Sequence, residues 1–163
     1  MLYFAYGSNM SISRLRQRVP SAMRIGMRTL HKHDLRFHKI SRDGSGKCDA
    51  FETENAENTV IGCLFKISAA EKAALDKAEG LGVGYREKEV TLVNESGETV
   101  KAMTYCATSI DASLSPYSWY LQHVVVGAKE SKLPSSYVSR LESTESIEDA
   151  NRERDTRERA ISG

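Results

Sequence analysis

The sequence predicts an α+β domain. Strand-like segments cluster toward the beginning, and helical segments are inserted among and after them without the regular strand–helix alternation of a doubly wound sheet. The 163 residues, 40% hydrophobic and 28% charged, suit one domain large enough to bury a core. That domain is expected over residues 1–142. From Ser143 onward apolar residues nearly vanish and mixed charges take over, so residues 143–163 read as a charged C-terminal tail, helical or disordered.

The first element is Leu2-Tyr3-Phe4-Ala5-Tyr6, apolar or aromatic throughout, as in a strand buried on both faces. Gly7-Ser8-Asn9 interrupts it with residues that tolerate tight backbone geometry. A short amphipathic helix follows, with Ser11 and Ser13 near its start and Ile12, Leu15 and Val19 on its apolar face. A strand, a small-residue turn and a helix start together point backbone N–H groups at the space above the strand end, where they suit a carboxylate or a developing oxyanion. Arg14, Arg16 and Arg18 read as a solvated helix face, because no interleaved aromatics mark a nucleic-acid surface.

Beyond Pro20, Met23, Ile25 and Met27, then Leu35 and Phe37, alternate with polar or small neighbours as half-buried strands do. His31 and His33 are expected on one face of such a strand, and no third ligand accompanies them, so no metal site is predicted. Asp43-Gly44-Ser45-Gly46 is a turn, and Cys48 to Phe51 a short strand. Glu54 to Asn58 reads as a hairpin loop leading into a nearly all-apolar central strand from Thr59 to Ile67.

Ser68 with Glu71 forms the capping-box pattern at the head of an Ala-rich helix that Gly80 ends. Gly80-Leu81-Gly82-Val83-Gly84 has the wrong spacing and follows a helix, so it is no dinucleotide fingerprint. Gly44-Ser45-Gly46-Lys47 lacks the rest of a phosphate loop. Glu87 to Val93 and Glu98 to Cys106 form a hairpin around Asn94-Glu95-Ser96-Gly97. Pro116 suits the first turn of a helix through Val125, and a shorter helix follows Pro134.

A net charge of +1 gives no argument for nucleic acid or an anionic membrane as partner. No apolar run approaches the roughly 20 residues that span a bilayer, and the N-terminus lacks the layout of a secretory signal. A cytoplasmic location is expected. Cys48, Cys63 and Cys106 are widely spaced and odd in number, so they read as reduced, structural thiols.

Tyr3-Phe4-Ala5-Tyr6-Gly7-Ser8-Asn9-Met10 resembles the opening signature of the gamma-glutamylcyclotransferase family, which includes the AIG2-like proteins. The resemblance extends through Ser41 to Lys47, Leu75-Asp76-Lys77-Ala78-Glu79-Gly80 and Gly127-Ala128-Lys129-Glu130, and covers roughly residues 1 to 141. It implies a small mixed β-barrel with helices packed around it, which the periodicities alone do not reveal.

A carboxylate on Glu79, the last residue of its helix, meets the partial negative charge of the helix end, a cost of up to about 1 kcal/mol. An exposed glutamate at a frayed end fits that position. So does a partly buried acid whose protonated form is favoured, as general acid/base chemistry near neutral pH requires. The resemblance selects the second, because Glu79 falls on the family's catalytic glutamate. It also implies substrate binding by the segment Tyr3, Phe4, Ala5, Tyr6, Gly7, Ser8 and Asn9, and by Tyr120, with Tyr117 as the neighbour that a shifted alignment would choose.

The implied reaction is cleavage of a γ-glutamyl amide by its own α-amine, giving 5-oxoproline and a free amine or amino acid, without metal or organic cofactor. The leaving-group pocket is expected from the region around His31 to Lys47, from Tyr85-Arg86-Glu87 and from the tail. The alternatives are a catalytically idle relative that binds a γ-glutamyl-like molecule or a protein partner, and a hydrolase that releases glutamate. Ser8 as a nucleophile ranks below these, because no His–carboxylate pair is assigned to activate it.

Overall fold

In the computed structural model, which describes residues 1–162, five strands close into a barrel in the order β1-β5-β2-β6-β7. They are β1 (Leu2–Ala5), β2 (Met23–His31), β5 (Thr59–Lys66), β6 (Tyr85–Val93) and β7 (Thr99–Ala107). Strand β1 runs antiparallel to β5, with Phe4 opposite Leu64. It runs parallel to β7, with Tyr3 opposite Met103, and this pairing makes the barrel mixed. Phe4, Val60, Phe65 and Leu92 are completely buried, as the unbroken apolar runs of β1 and β5 anticipate. Strands β3 (His33–Ile40) and β4 (Gly46–Glu52) form a separate two-stranded sheet.

Around the barrel lie α1 (Ile12–Leu15), α2 (Lys72–Glu79), α3 (Ser118–Glu130), α4 (Ser135–Glu142) and α5 (Arg152–Ser162). A single 3-10 turn, Ser8–Met10, leads from β1 into α1. Helix α3 packs directly on that turn. The approach depends on Gly127, where a Cβ would stand 2.4 Å from both the Cβ and the carbonyl carbon of Met10.

Several expectations need correction. In β2 it is Met23 and Ile25 that face solvent, at 62% and 47% exposure. A register irregularity between Arg24 and Gly26 accompanies an inward Arg24, which lies 5.0 Å over the Phe65 ring and donates to the Met10 carbonyl. His31 and His33 do not share a strand. Lys32, with φ of 62°, turns the chain between them, and the His33 ring faces the His31 carbonyl and the Lys88 ammonium. Residues 54–58 are not a hairpin loop, since they connect β4 to β5 in different sheets.

The capping box is not formed either. Ser68 Oγ accepts from the Ala70 amide, but the Glu71 carboxylate turns to the amide and hydroxyl of Ser21, whose Oγ accepts the Ser68 N–H. Pro116 lies outside α3, where Tyr117 is the N-cap.

In the tail, Ile147 bridges back to Tyr117, and α5 packs on α3 and α1. No α5 residue is fully buried. Ion pairs hold the segment in place: Arg154 clamps Asp149, which also accepts from the buried Trp119 indole N–H, and Glu158 pairs with Arg14. Gly163, the last residue of the tail, lies outside the described residues. No described helix is long and apolar enough to cross a membrane.

Candidate active site

Glu79 owes its place to the way α2 stops. The Gly80 N–H bonds the Lys77 carbonyl and the Leu81 N–H reaches back to the Asp76 carbonyl, the paired bonds of a Schellman ending. This ending requires the left-handed conformation that Gly80 adopts, with φ of 69°. One turn earlier, Asp76 accepts from the Tyr105 hydroxyl of β7 at 2.5 Å and pairs with Lys72. The last turn of α2 is thereby fastened to the barrel. Glu79 projects from it to accept a hydrogen bond from Asn9 Nδ2 at 2.5 Å.

Asn9 is 4% exposed, and its amide nitrogen also donates to the Tyr3 hydroxyl at 3.0 Å. Among the described residues the first N–H groups of the turn that carries it have no partner, because its internal bonds begin at Met10 N to the Gly7 carbonyl. Ser8 Oγ accepts from the Arg14 guanidinium. Burial and the nearby Glu79 carboxylate raise the Tyr3 phenol well above its ordinary range, so it remains protonated.

Opposite the turn, Tyr120 is buried on α3 and accepts the Cys48 N–H at 3.0 Å. Tyr85 completes that wall by donating to the Cys48 carbonyl at 2.6 Å. A Cβ on Gly7 would stand 3.0 Å from the Cys48 Cβ and 3.3 Å from the Tyr120 hydroxyl, so glycine lets the turn approach this wall. Tyr117 points elsewhere, donating to the Asp43 carbonyl. Burial pushes the Cys48 thiol up to about 12, which leaves it protonated and inert.

These groups frame a crevice of about 30 Å³, walled by Tyr3, Tyr6, Gly7, Ser8, Asn9, Glu79 and Tyr120 together with Cys48, Tyr85, Thr104 and Tyr105. It widens past Glu79 into a cavity of about 470 Å³. Of the residues singled out from the sequence, Glu79, Tyr120 and all of the opening segment except Phe4 and Ala5 line the crevice. Phe4 and Ala5 lie in the barrel core, 0% and 1% exposed, and their side chains do not reach it.

The wide cavity takes its walls from the β3–β4 sheet, the end of α2 and the residues after it, and α1. Arg14 and Arg18 therefore do not form a solvated face. Arg14 is 8% exposed, Arg18 donates to Asn9 Oδ1, and both line the cavity, while Arg16 turns away to the Ala22 carbonyl. Sequence reasoning also missed Tyr105, Thr104 and Cys48. The first two are adjacent and both buried on β7, and no local pattern separates such residues from ordinary core.

The AIG2-like family model matches residues 59–141. The chain is 33% identical over 150 residues to a protein named gamma-glutamylcyclotransferase from Bos taurus, an alignment covering 88% of this chain and 78% of that one. The counterpart of the same name from Homo sapiens is 31% identical over equal coverage. A solved structure titled gamma-glutamyl cyclotransferase superposes with a TM-score of 0.87 at 27% identity, covering 98% of this chain and 96% of that one.

Proposed function

The chain belongs to the gamma-glutamylcyclotransferase family, AIG2-like proteins included, and from that premise we propose that it cleaves a γ-glutamyl amide by intramolecular cyclisation. The observation that carries the reading is the seating of Glu79, held by Asn9 at the junction of the crevice and the wider cavity.

In this reaction the substrate's α-amine attacks its own γ-carbonyl carbon. Glu79 accepts the proton that the amine loses and returns it to the departing nitrogen as the amide bond breaks, so one carboxyl group serves both halves. The products are 5-oxoproline and a free amine, and the step balances with substrate and Glu79 alone. The negative charge that develops on the γ-oxygen falls to the unpaired N–H groups of the turn at Gly7, Ser8 and Asn9. Tyr120 and Tyr3 bound the space in which the glutamyl chain folds on itself, and holding it in that conformer supplies acceleration through orientation. Ser8 is bonded to Arg14 with no base beside it, which disfavours a covalent route.

The test is mass-spectrometric detection of 5-oxoproline from a panel of γ-glutamyl amino acids and amines. The expected result is product with the native protein and none with Glu79→Gln. Glutamate as product instead would identify a hydrolase. No product from any member, with binding retained, would favour the idle relative.

A further inference from the structure

The cavity beside Glu79 carries more positive charge than a γ-glutamyl group uses. Arg14, Arg18, Lys39, Arg42, Lys47 and Lys77 line it, with Glu79 the carboxylate in the wall. The fold answers two of these cations, Arg14 through Glu158 at 2.8 Å and Lys47 through Asp43 at 2.9 Å. Among the described residues the other four have no carboxylate within salt-bridge distance. Glu79 offsets one of them and the α-carboxylate of the glutamyl group a second. Two positive charges remain.

Lys39 and Arg18 are half-buried. Burial lowers the pKa of each, and the nearby Glu79 carboxylate offsets part of that effect. Lys39 is braced with its ammonium 4.7 Å from the centre of the Tyr85 ring. Leaving these two half-covered without an anion is costly, and the exposed Arg42 and Lys77 add a positive field at the mouth of the cavity, so an anionic leaving group fits here better than a neutral one. Ile40 and Val83, exposed at 46% and 69%, stand among the charges and suit the methylenes of a short spacer.

On the cyclotransferase reading, we infer that the leaving amine is an acidic α-amino acid that carries, beyond its α-carboxylate, a second anionic group, a carboxylate or a phosphate. Lys39 and Arg42, from β3 and the turn after it, and Lys77, near the end of α2, line the cavity and select that second charge.

The test compares kcat/KM for the isosteric pair γ-glutamylglutamate and γ-glutamylglutamine, with γ-glutamyl-O-phosphoserine as the phosphate arm. The acidic substrates are expected to lead by about tenfold at low ionic strength, and the lead should shrink in 0.5 M salt. Lys39→Gln and Arg42→Gln should each reduce the ratio, mainly through KM of the acidic substrate, an effect that a purely structural role would not single out. The better of glutamate and phosphoserine identifies the anion. Turnover of γ-glutamylglutamine equal to or better than that of γ-glutamylglutamate overturns this inference and leaves the cyclotransferase reading standing. If no substrate yields 5-oxoproline, that reading fails, and the relative Kd values of the two isosteres decide the charge selectivity independently. Equal Kd values would overturn it too.

Discussion

Asn9 and Glu79 are joined by a 2.5 Å hydrogen bond across seventy residues of sequence. That bond ties the turn after the first strand to the last residue of α2, so the candidate acid/base and the candidate oxyanion donors share one anchored geometry.

Replacing Glu79 by Gln preserves the shape and the acceptor for Asn9 but removes the proton carrier. The melting temperature should stay within a few degrees of native, with turnover reduced by about a hundredfold to ten-thousandfold. Circular dichroism melts alongside the 5-oxoproline assay check both, and near-native turnover would remove Glu79 from the mechanism.

Asn9→Ala releases the Glu79 carboxylate and leaves the buried Tyr3 hydroxyl without its Asn9 donor. Because Asn9 positions the acid more than it touches the leaving group, kcat should fall about tenfold or more while KM moves little. A change confined to KM would assign Asn9 to substrate binding instead.

Gly127→Ala sets a methyl group 2.4 Å from Met10. The helix or the turn must give way, at a cost of about 1–3 kcal/mol. Urea titration should show this loss of stability. Activity measured well below the new midpoint should fall as well, because the displaced segment carries Ser8 and Asn9.

Acid should loosen α5 before it unfolds the barrel. Burial raises the Glu158 carboxyl, but the His123 hydrogen bond and the Arg14 charge outweigh it and hold the group at about 2. A depressed folded-state value means that this contribution is fully present above the ordinary value of about 4.5 and is lost as pH falls toward 2. Desolvation keeps His123 below its ordinary value despite Glu158, so its burial in neutral form also begins to oppose folding below about pH 6.5. Both effects have the same sign. Stability measured from pH 8 to pH 3 should decline, and Glu158→Gln should flatten the limb below 4.5. An unchanged limb would show that the α5 contact contributes nothing.

The sequence made the buried first strand, the turn after it and the position of Glu79 legible, because each is a local pattern: an apolar run, small residues, and a carboxylate just before a helix-ending glycine. Closure of the barrel was not, because it rests on one parallel pairing between Tyr3 and Met103, for which no local signal exists. The arginines of α1 misled for a related reason. Arg14 is buried by Ser8 on one side and by Glu158 on the other, and the second partner is 144 residues away. The capping box failed because Ser21, remote in sequence, competes for both Glu71 and Ser68. The cationic cavity could not be assembled on paper from segments that are unremarkable singly.

Because β1 pairs with β5 and β7 and not with its sequence neighbours, its birth order matters. During synthesis this apolar strand emerges before the other barrel strands and meets its first partner edge some sixty residues later, and its second about one hundred residues later. At translation speeds of roughly 5–20 residues per second it stays unpaired for several seconds. A nascent chain of this topology should therefore depend more on ribosome-associated chaperones than on local folding, and a circular permutant that begins between β4 and β5 should shorten that exposure.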